Sequence, residues 1–249
     1  MIQSLKKASS ILEFMKIENR EYSISEISDA LDIPSSTTHR ILNTLINCDF
    51  VSKDNKSHLY KLGPGLISLG VAASANISLQ SDSLPILNDL SKITKEDSFI
   101  IIRSGNNGLV VGKALGEHSI KVVENFGREI PLHMGAIRKV ILANQSDSFI
   151  EEYMKLDLEP YLNKNSLDKD QLRRELEEIK EQKYAISYSE YILNTSGIGS
   201  AVFNYKNEFV ASLGIVVPLY RLKGKEKELI NSVMEAAEKL SYKLGYYKL

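Results

Sequence analysis

Along the first part of the chain, apolar positions recur at three- and four-residue steps. From Ser4 onward, Leu5, Ala8, Ile11, Leu12 and Met15 mark one face of a helix. The polar Asn19-Arg20-Glu21 interrupts it. A shorter helix is expected over Ser25–Leu31, with Ser25 as N-cap, because a hydroxyl there can accept from an unpaired first-turn amide. Pro34 lacks an amide hydrogen and biases Ile33 away from helical angles, so Asp32-Ile33-Pro34 is a break. The spacing predicts a third helix from about Ser35 to Asn47, with Ile41, Leu42, Leu45 and Ile46 inward. Phe50–Ser52 and His58–Leu62 read as short strands around the polar tip Lys53-Asp54-Asn55-Lys56. Three helices followed by a hairpin is a winged helix-turn-helix layout. Gly63-Pro64-Gly65 ends it, and Leu66, Ile67, Leu69, Val71 and Ala72 mark a connecting helix.

Beyond Ser81 the pattern changes. Ile86, Leu87, Leu90 and Ile93 mark a helix, and Ser98–Arg103 with Gly108–Gly112 form a hairpin around Gly105-Asn106-Asn107. Ile120–Val123 is a candidate third strand. Helices are expected over 134–144, 148–156 and 168–182, strands over Val202–Tyr205 and Phe209–Val217, and a last helix from about Lys225 to Tyr246. Strands in hairpins with separate helices indicate an α+β domain with an antiparallel sheet. At 249 residues the chain exceeds the usual span of one core. The division expected is 1–63 for the winged helix-turn-helix, 64–80 for a linker helix and 81–249 for the second domain.

Composition narrows the function classes. Apolar content of 43% and charged content of 25% are ordinary for a globular protein. No apolar run has the length a bilayer crossing needs, so no membrane partner and a cytoplasmic location are expected. Cys48 is the single cysteine; it excludes an internal disulfide and reads as a small helix-end residue. The net charge of -1 does not exclude DNA, which sees only the docking face. Arg40, Lys53, Lys56 and Lys61 give that stretch a modest basic excess over Asp49 and Asp54.

The segment Ile33–Leu45 carries the clearest chemistry. Short hydroxyls at a helix start, Ser35, Ser36 and Thr37, suit phosphate contact. Thr38, His39, Arg40 and Asn43 are placed to reach base edges, where Arg on guanine and Asn on adenine make paired hydrogen bonds. Lys53 and Lys56 at the hairpin tip add flanking phosphate or minor-groove contacts, and Ser25 completes the DNA-contacting set.

These residues resemble the IclR family of bacterial transcription regulators, over nearly the whole chain. Pro34–Leu45 is similar to the family's recognition helix and Tyr60-Lys61-Leu62-Gly63 to the end of its wing. Pro131-Leu132-His133 through Lys139–Ala143, Tyr184-Ala185 through Glu190, Val202-Phe203 and Val217-Pro218 match in order and spacing. The resemblance implies a homodimer or dimer of dimers, and a GAF-like domain binding a small metabolite, commonly a carboxylate. It places the effector site at Ala136, Ile137, Arg138, Ser187, Gly197, Gly214 and Val216. Several of these depart from the family pattern. Arg138 replaces a glycine, Ser187 stands where aspartate is common, Gly197 where cysteine or serine is, and Gly214 and Val216 where some relatives carry serines. Asn194 and Ala201 replace a glycine and a proline. The set is less polar, unless Arg138 offers a carboxylate a two-pronged partner; the alternative for Arg138 is a solvent-facing helix arginine.

Enzymatic readings lack support. His39, His58, His118 and His133 show no metal-ligand pairing, and no metal or cofactor is expected. No nucleophile elbow or phosphate loop is present. Gly197-Ile198-Gly199-Ser200 reads as strand-edge glycines, Glu175, Glu177 and Glu178 as a charged helix face, and His133 as structural. The expectation is a DNA-binding regulator controlled by a metabolite, with repression favoured over activation. The alternative is a ligand-sensing protein-interaction module without sequence-specific DNA binding.

Overall fold

The stripe that begins at Leu5 becomes α1 (Gln3–Glu18), which sends Ile11 and Met15 into a core while Leu5 itself is 66% exposed. The computed structural model describes residues 2–18, 20–74, 79–118, 129–162 and 166–247, and the chain divides into two units, Met1–Ile77 and Ser78–Lys248. In the first, α2 (Ile24–Leu31) is capped by Ser23, not by Ser25 as expected. The Ser23 hydroxyl accepts from the Glu26 amide (3.2 Å) and the Glu26 carboxylate accepts from the Ser23 amide (2.8 Å). This reciprocal pair needs Ser and Glu three residues apart, which only Ser23 satisfies. Asp32 turns left-handed (φ 50) to end α2, and α3 begins after Pro34 with the expected bounds, Ser35–Asn47. Strands β1 (Val51–Lys53) and β2 (Tyr60–Leu62) pair antiparallel, and α4 (Gly65–Ser74) follows. Ile27, Leu42, Leu45, Val51 and Tyr60 complete this core.

The second unit is α+β, as expected. Its helices are α5 (Leu79–Thr94), α6 (Ala136–Ala143), α7 (Asp147–Lys155), α8 (Lys169–Gln182), the short α9 (Leu219–Leu222) and α10 (Glu226–Lys243). Its strands are β3 (Ser98–Ser104), β4 (Asn107–Ala114), β5 (Glu129–Pro131), β6 (Tyr184–Tyr188), β7 (Thr195–Phe203) and β8 (Phe209–Pro218). They form one antiparallel sheet in the order β5-β4-β3-β8-β7-β6. Helix α5 meets the face that carries Ile100 and Gly112, and α6 meets the opposite face, with Gly108 and Gly199. Strands β5 and β6 were not anticipated. The strand expected at 120–123 lies outside the described residues.

Gly197 and Gly199 sit inside β7, between β6 and β8, so the strand-edge expectation is corrected. The reason is packing. A Cβ on Gly199 would stand 2.6 Å from Ile137 Cα, and one on Gly214 would run into the Ile198 carbonyl. These glycines let α6 lie directly on the sheet.

Candidate DNA interface and ligand cavity

Helix α3 is two-sided. Thr38, Leu42 and Leu45 are buried, while Ser35, Ser36, His39, Arg40, Asn43, Thr44 and Asn47 are exposed and Thr37 is half-buried. Thr38 is fully buried and its hydroxyl donates to the Ile33 carbonyl (3.3 Å). It therefore belongs to the helix-turn-helix corner, which corrects the expectation that it reaches a base edge. Ser28 donates to the same carbonyl (2.6 Å) and shares a hydrogen bond with Ser35 (3.0 Å). The corner that aims α3 is thus held by hydroxyls from both helices. Ser25 is exposed in the first turn of α2, beside the Ser23 hydroxyl (3.1 Å).

At the hairpin tip the Asp54 carboxylate accepts from the amides of Lys56 (2.8 Å) and Ser57 (2.7 Å) and from the Ser57 hydroxyl (3.0 Å). These donors, the Ser57 amide foremost, hold its pKa below the usual carboxylate value. Asp54 shapes the turn that projects Lys56 into solvent. Lys53 is also exposed, its ammonium 5.3 Å from the centre of the Tyr60 ring. Lys61 is paired with Glu21 (3.0 Å), so the basic excess rests on the remaining cations.

In the second unit a small cavity lies at the N-terminus of α6, with free space of about 30 Å³. Six of the seven effector candidates line it: Ala136, Ile137, Arg138, Ser187, Gly197 and Val216. Gly214 does not; it lies beneath α6 against Ile137. Gly135 has φ 80 and ψ 156, a conformation open essentially to glycine alone, and it turns the chain so that the first amides of α6 face the cavity. Two of those amides are taken by side chains. Ala136 donates to the Ser187 hydroxyl (2.9 Å) and Gly135 to the Glu190 carboxylate (3.2 Å).

Arg138 is 4% exposed, so it is no solvent-facing helix arginine. Its stem lies on Gly108, where a Cβ would come within 2.9 Å of Arg138 Cγ, and its guanidinium stands 5.1 Å from the Tyr191 ring centre. Glycine at 108 makes room for an arginine at 138. Sequence reasoning missed the loop that closes the cavity, which contributes Glu190, Tyr191 and Ile192. It lies between two expected lining residues, Ser187 and Gly197, and that bracketing was the available signal.

Behind the cavity sits an ion cluster built on a buried lysine, with Glu190 mostly and Glu175 partly covered. Lys139 is 2% exposed, and its ammonium donates to Glu190 (2.7 Å) and Glu175 (2.8 Å). Burial pushes the Glu190 carboxyl up, and Lys139 opposes this. Glu175 is therefore more than part of a solvated face. His133 is buried between the Tyr153 hydroxyl (2.9 Å from Nδ1) and the Glu159 carbonyl (2.9 Å from Nε2). A carbonyl can only accept, which puts the proton on Nε2, and burial lowers the ring's pKa.

The profile for the bacterial transcriptional regulator IclR C-terminal domain matches residues 71–242, and that for the IclR helix-turn-helix domain matches residues 4–55. The chain is 27% identical over 247 residues to the HTH-type transcriptional repressor AllR of Salmonella paratyphi A, covering 98% of this chain and 90% of that one. Pseudomonas aeruginosa HmgR has a similar structure, with a TM-score of 0.87 at 19% identity, covering 100% of both chains. An IclR homologue from Microbacterium hydrocarbonoxydans, solved with 4-hydroxybenzoate, aligns with a TM-score of 0.62 at 19% identity over 97% of this chain and 98% of that one. Among the described residues no helix is long and apolar enough to cross a membrane. With both profiles in chain order on a helix-turn-helix unit and a ligand-domain fold, the chain belongs to the IclR family: it is a DNA-binding transcription regulator with an effector-binding C-terminal domain.

Proposed function

We propose that the chain is a cytoplasmic repressor that binds double-stranded DNA as a homodimer or dimer of dimers and is controlled by a small carboxylate. Residues 1–63 are its DNA-binding domain, 64–80 its linker and 81–249 its effector domain. The reading rests on the division of α3, which commits Thr38, Leu42 and Leu45 to the core and leaves Ser36, His39, Arg40 and Asn43 outward. Arg40 and Asn43 read bases, Ser25, Ser35, Ser36 and Thr37 approach phosphates, and Lys53 and Lys56 flank them.

The effector enters the cavity at α6, where the Arg138 guanidinium takes its carboxylate. Ala136, Ile137, Ser187, Gly197 and Val216 form the walls, and Gly214 acts through packing. The present space suits about two water molecules, so binding requires Tyr191 and Ile192 to move, while Glu190 stays held by Lys139. That AllR is a repressor and 4-hydroxybenzoate a carboxylate supports this choice. The cavity binds its ligand without turning it over.

The test is gel-shift titration of the full-length protein against a duplex it selects from a random-sequence library, with a panel of small carboxylates. One member of the panel is expected to weaken DNA binding, and saturating DNA to weaken that carboxylate's binding by the same factor. If every carboxylate that binds leaves DNA affinity unchanged, the proposed control is wrong.

A further inference from the structure

The first unit sorts its charges. Lys16 pairs with Glu13 (2.7 Å), Arg20 with Glu26 (3.0 Å) and Lys61 with Glu21 (3.0 Å). Among the described residues, Lys7 and Arg40 have no acidic partner. They line one cleft of about 430 Å³ between the start of α1 and the flank of α3, together with Gln3, Ser4, Thr37 and Thr44. The first turn of α1 carries no acidic residue, and Lys6 beside it is exposed. Arg40 belongs both to this cleft and to the outward row of α3.

Geometry limits what the cleft can meet. A helix with its side chains is about 10–12 Å across, and the major groove is about 12 Å wide. Once α3 fills the groove, whatever packs along its outward flank lies at the phosphate rim. On the α1 side that flank is this cleft. Its floor is apolar, from Leu5, Ala8, Ile41 and Leu45, and along its edge it offers cations, hydroxyls, an amide side chain and the positive end of a helix, which favour phosphate.

We propose that the cleft is a phosphate clamp: Lys7, assisted by Gln3 and Ser4, grips the backbone on one rim of the major groove that α3 occupies. The inference rests on the reading that α3 enters DNA. A contact with a second copy of the chain is the competing use, since Leu5 also lines the cleft and is 66% exposed.

The test measures binding of the full-length protein to its library-selected duplex by fluorescence anisotropy, between about 50 and 200 mM salt. Lys7→Ala is expected to lower the slope of log K against log salt by about 0.9 for each Lys7 that meets a phosphate. At about 0.1 M salt, affinity should fall roughly fivefold to tenfold for each such contact, on selected and unrelated duplexes alike, leaving their ratio intact. Lys7→Arg should retain the slope, and Lys16→Ala, which removes a cation already paired within α1, should leave it unchanged. Lys7→Gln gives the same reading as Lys7→Ala through a helix-compatible side chain of similar length. An unchanged slope for both Lys7→Ala and Lys7→Gln, with wild-type binding intact, overturns the clamp and leaves the role of α3 standing. If Leu5→Ser dissociates the dimer in sedimentation while those two variants keep the wild-type slope, the cleft is a subunit contact and the clamp is overturned. If the wild-type protein itself binds without salt dependence, the reading of α3 fails first.

Discussion

Ser23 and Ser25 are two residues apart and chemically identical, yet only one closes a capping box. Ser23→Ala is expected to destabilise the first unit by about 1 kcal/mol, and Ser25→Ala to leave its stability nearly unchanged; urea denaturation followed by circular dichroism separates the two. The partner Glu26 titrates accordingly. The Ser23 amide, then Arg20 and the Ser23 hydroxyl, hold its pKa down to about 2 from 4.5. A depressed carboxylate stabilises the fold above its unfolded pKa and ceases to do so as pH falls through its folded one. The stability difference between wild type and Glu26→Gln should therefore be complete above pH 4.5 and vanish as pH falls to about 2. A difference that persists unchanged at the acid end contradicts the capping-box assignment. Thr38 teaches a related lesson. It is polar, and composition places it with its neighbours, but the Ile33 carbonyl left by the Pro34 break needs a donor and Thr38 faces it.

At the level of elements, what was legible in the sequence had a local cause. The bounds of α3 follow from Pro34 at one end and the apolar spacing through Ile46, and the β3–β4 hairpin follows from Gly105-Asn106 between two apolar runs. Strand β6 was missed because it is an edge strand of five residues, with only Ala185 and Ser187 buried along it. The closeness of α6 to β7 and β8 was also illegible, because Gly199 and Gly214 answer to Ile137, which is far away in sequence. The same holds for Lys139 and Glu190, separated by 51 positions. Removing one member of a buried pair strands the other, which costs about 3–5 kcal/mol. Lys139→Met should destabilise the second unit on that scale, and adding Glu190→Gln should recover part of the loss. A Lys139→Met protein with wild-type denaturation would show that the cluster does not hold α6 in place.

Over the whole molecule, one unit carries a helix with an outward polar row and the other encloses a cavity with Arg138 in its wall. Control of the first by the second requires a ligand with different affinity for two arrangements of the protein. The residues brought together at the α6 cavity were legible in outline, since six of them were grouped in the sequence, but the Glu190–Ile192 loop beside them was not, because it has no periodicity to announce it. The most direct test of the central claim is to select duplexes from a random-sequence library with the full-length protein and to repeat the selection with Arg40→Ala. Wild type should recover a half-site repeated about one helical turn apart, and Arg40→Ala should relax one base pair of each half-site at a cost of about 1–3 kcal/mol. Recovery of no shared sequence by wild type, or of the same sequence with the same affinity by Arg40→Ala, would contradict the account.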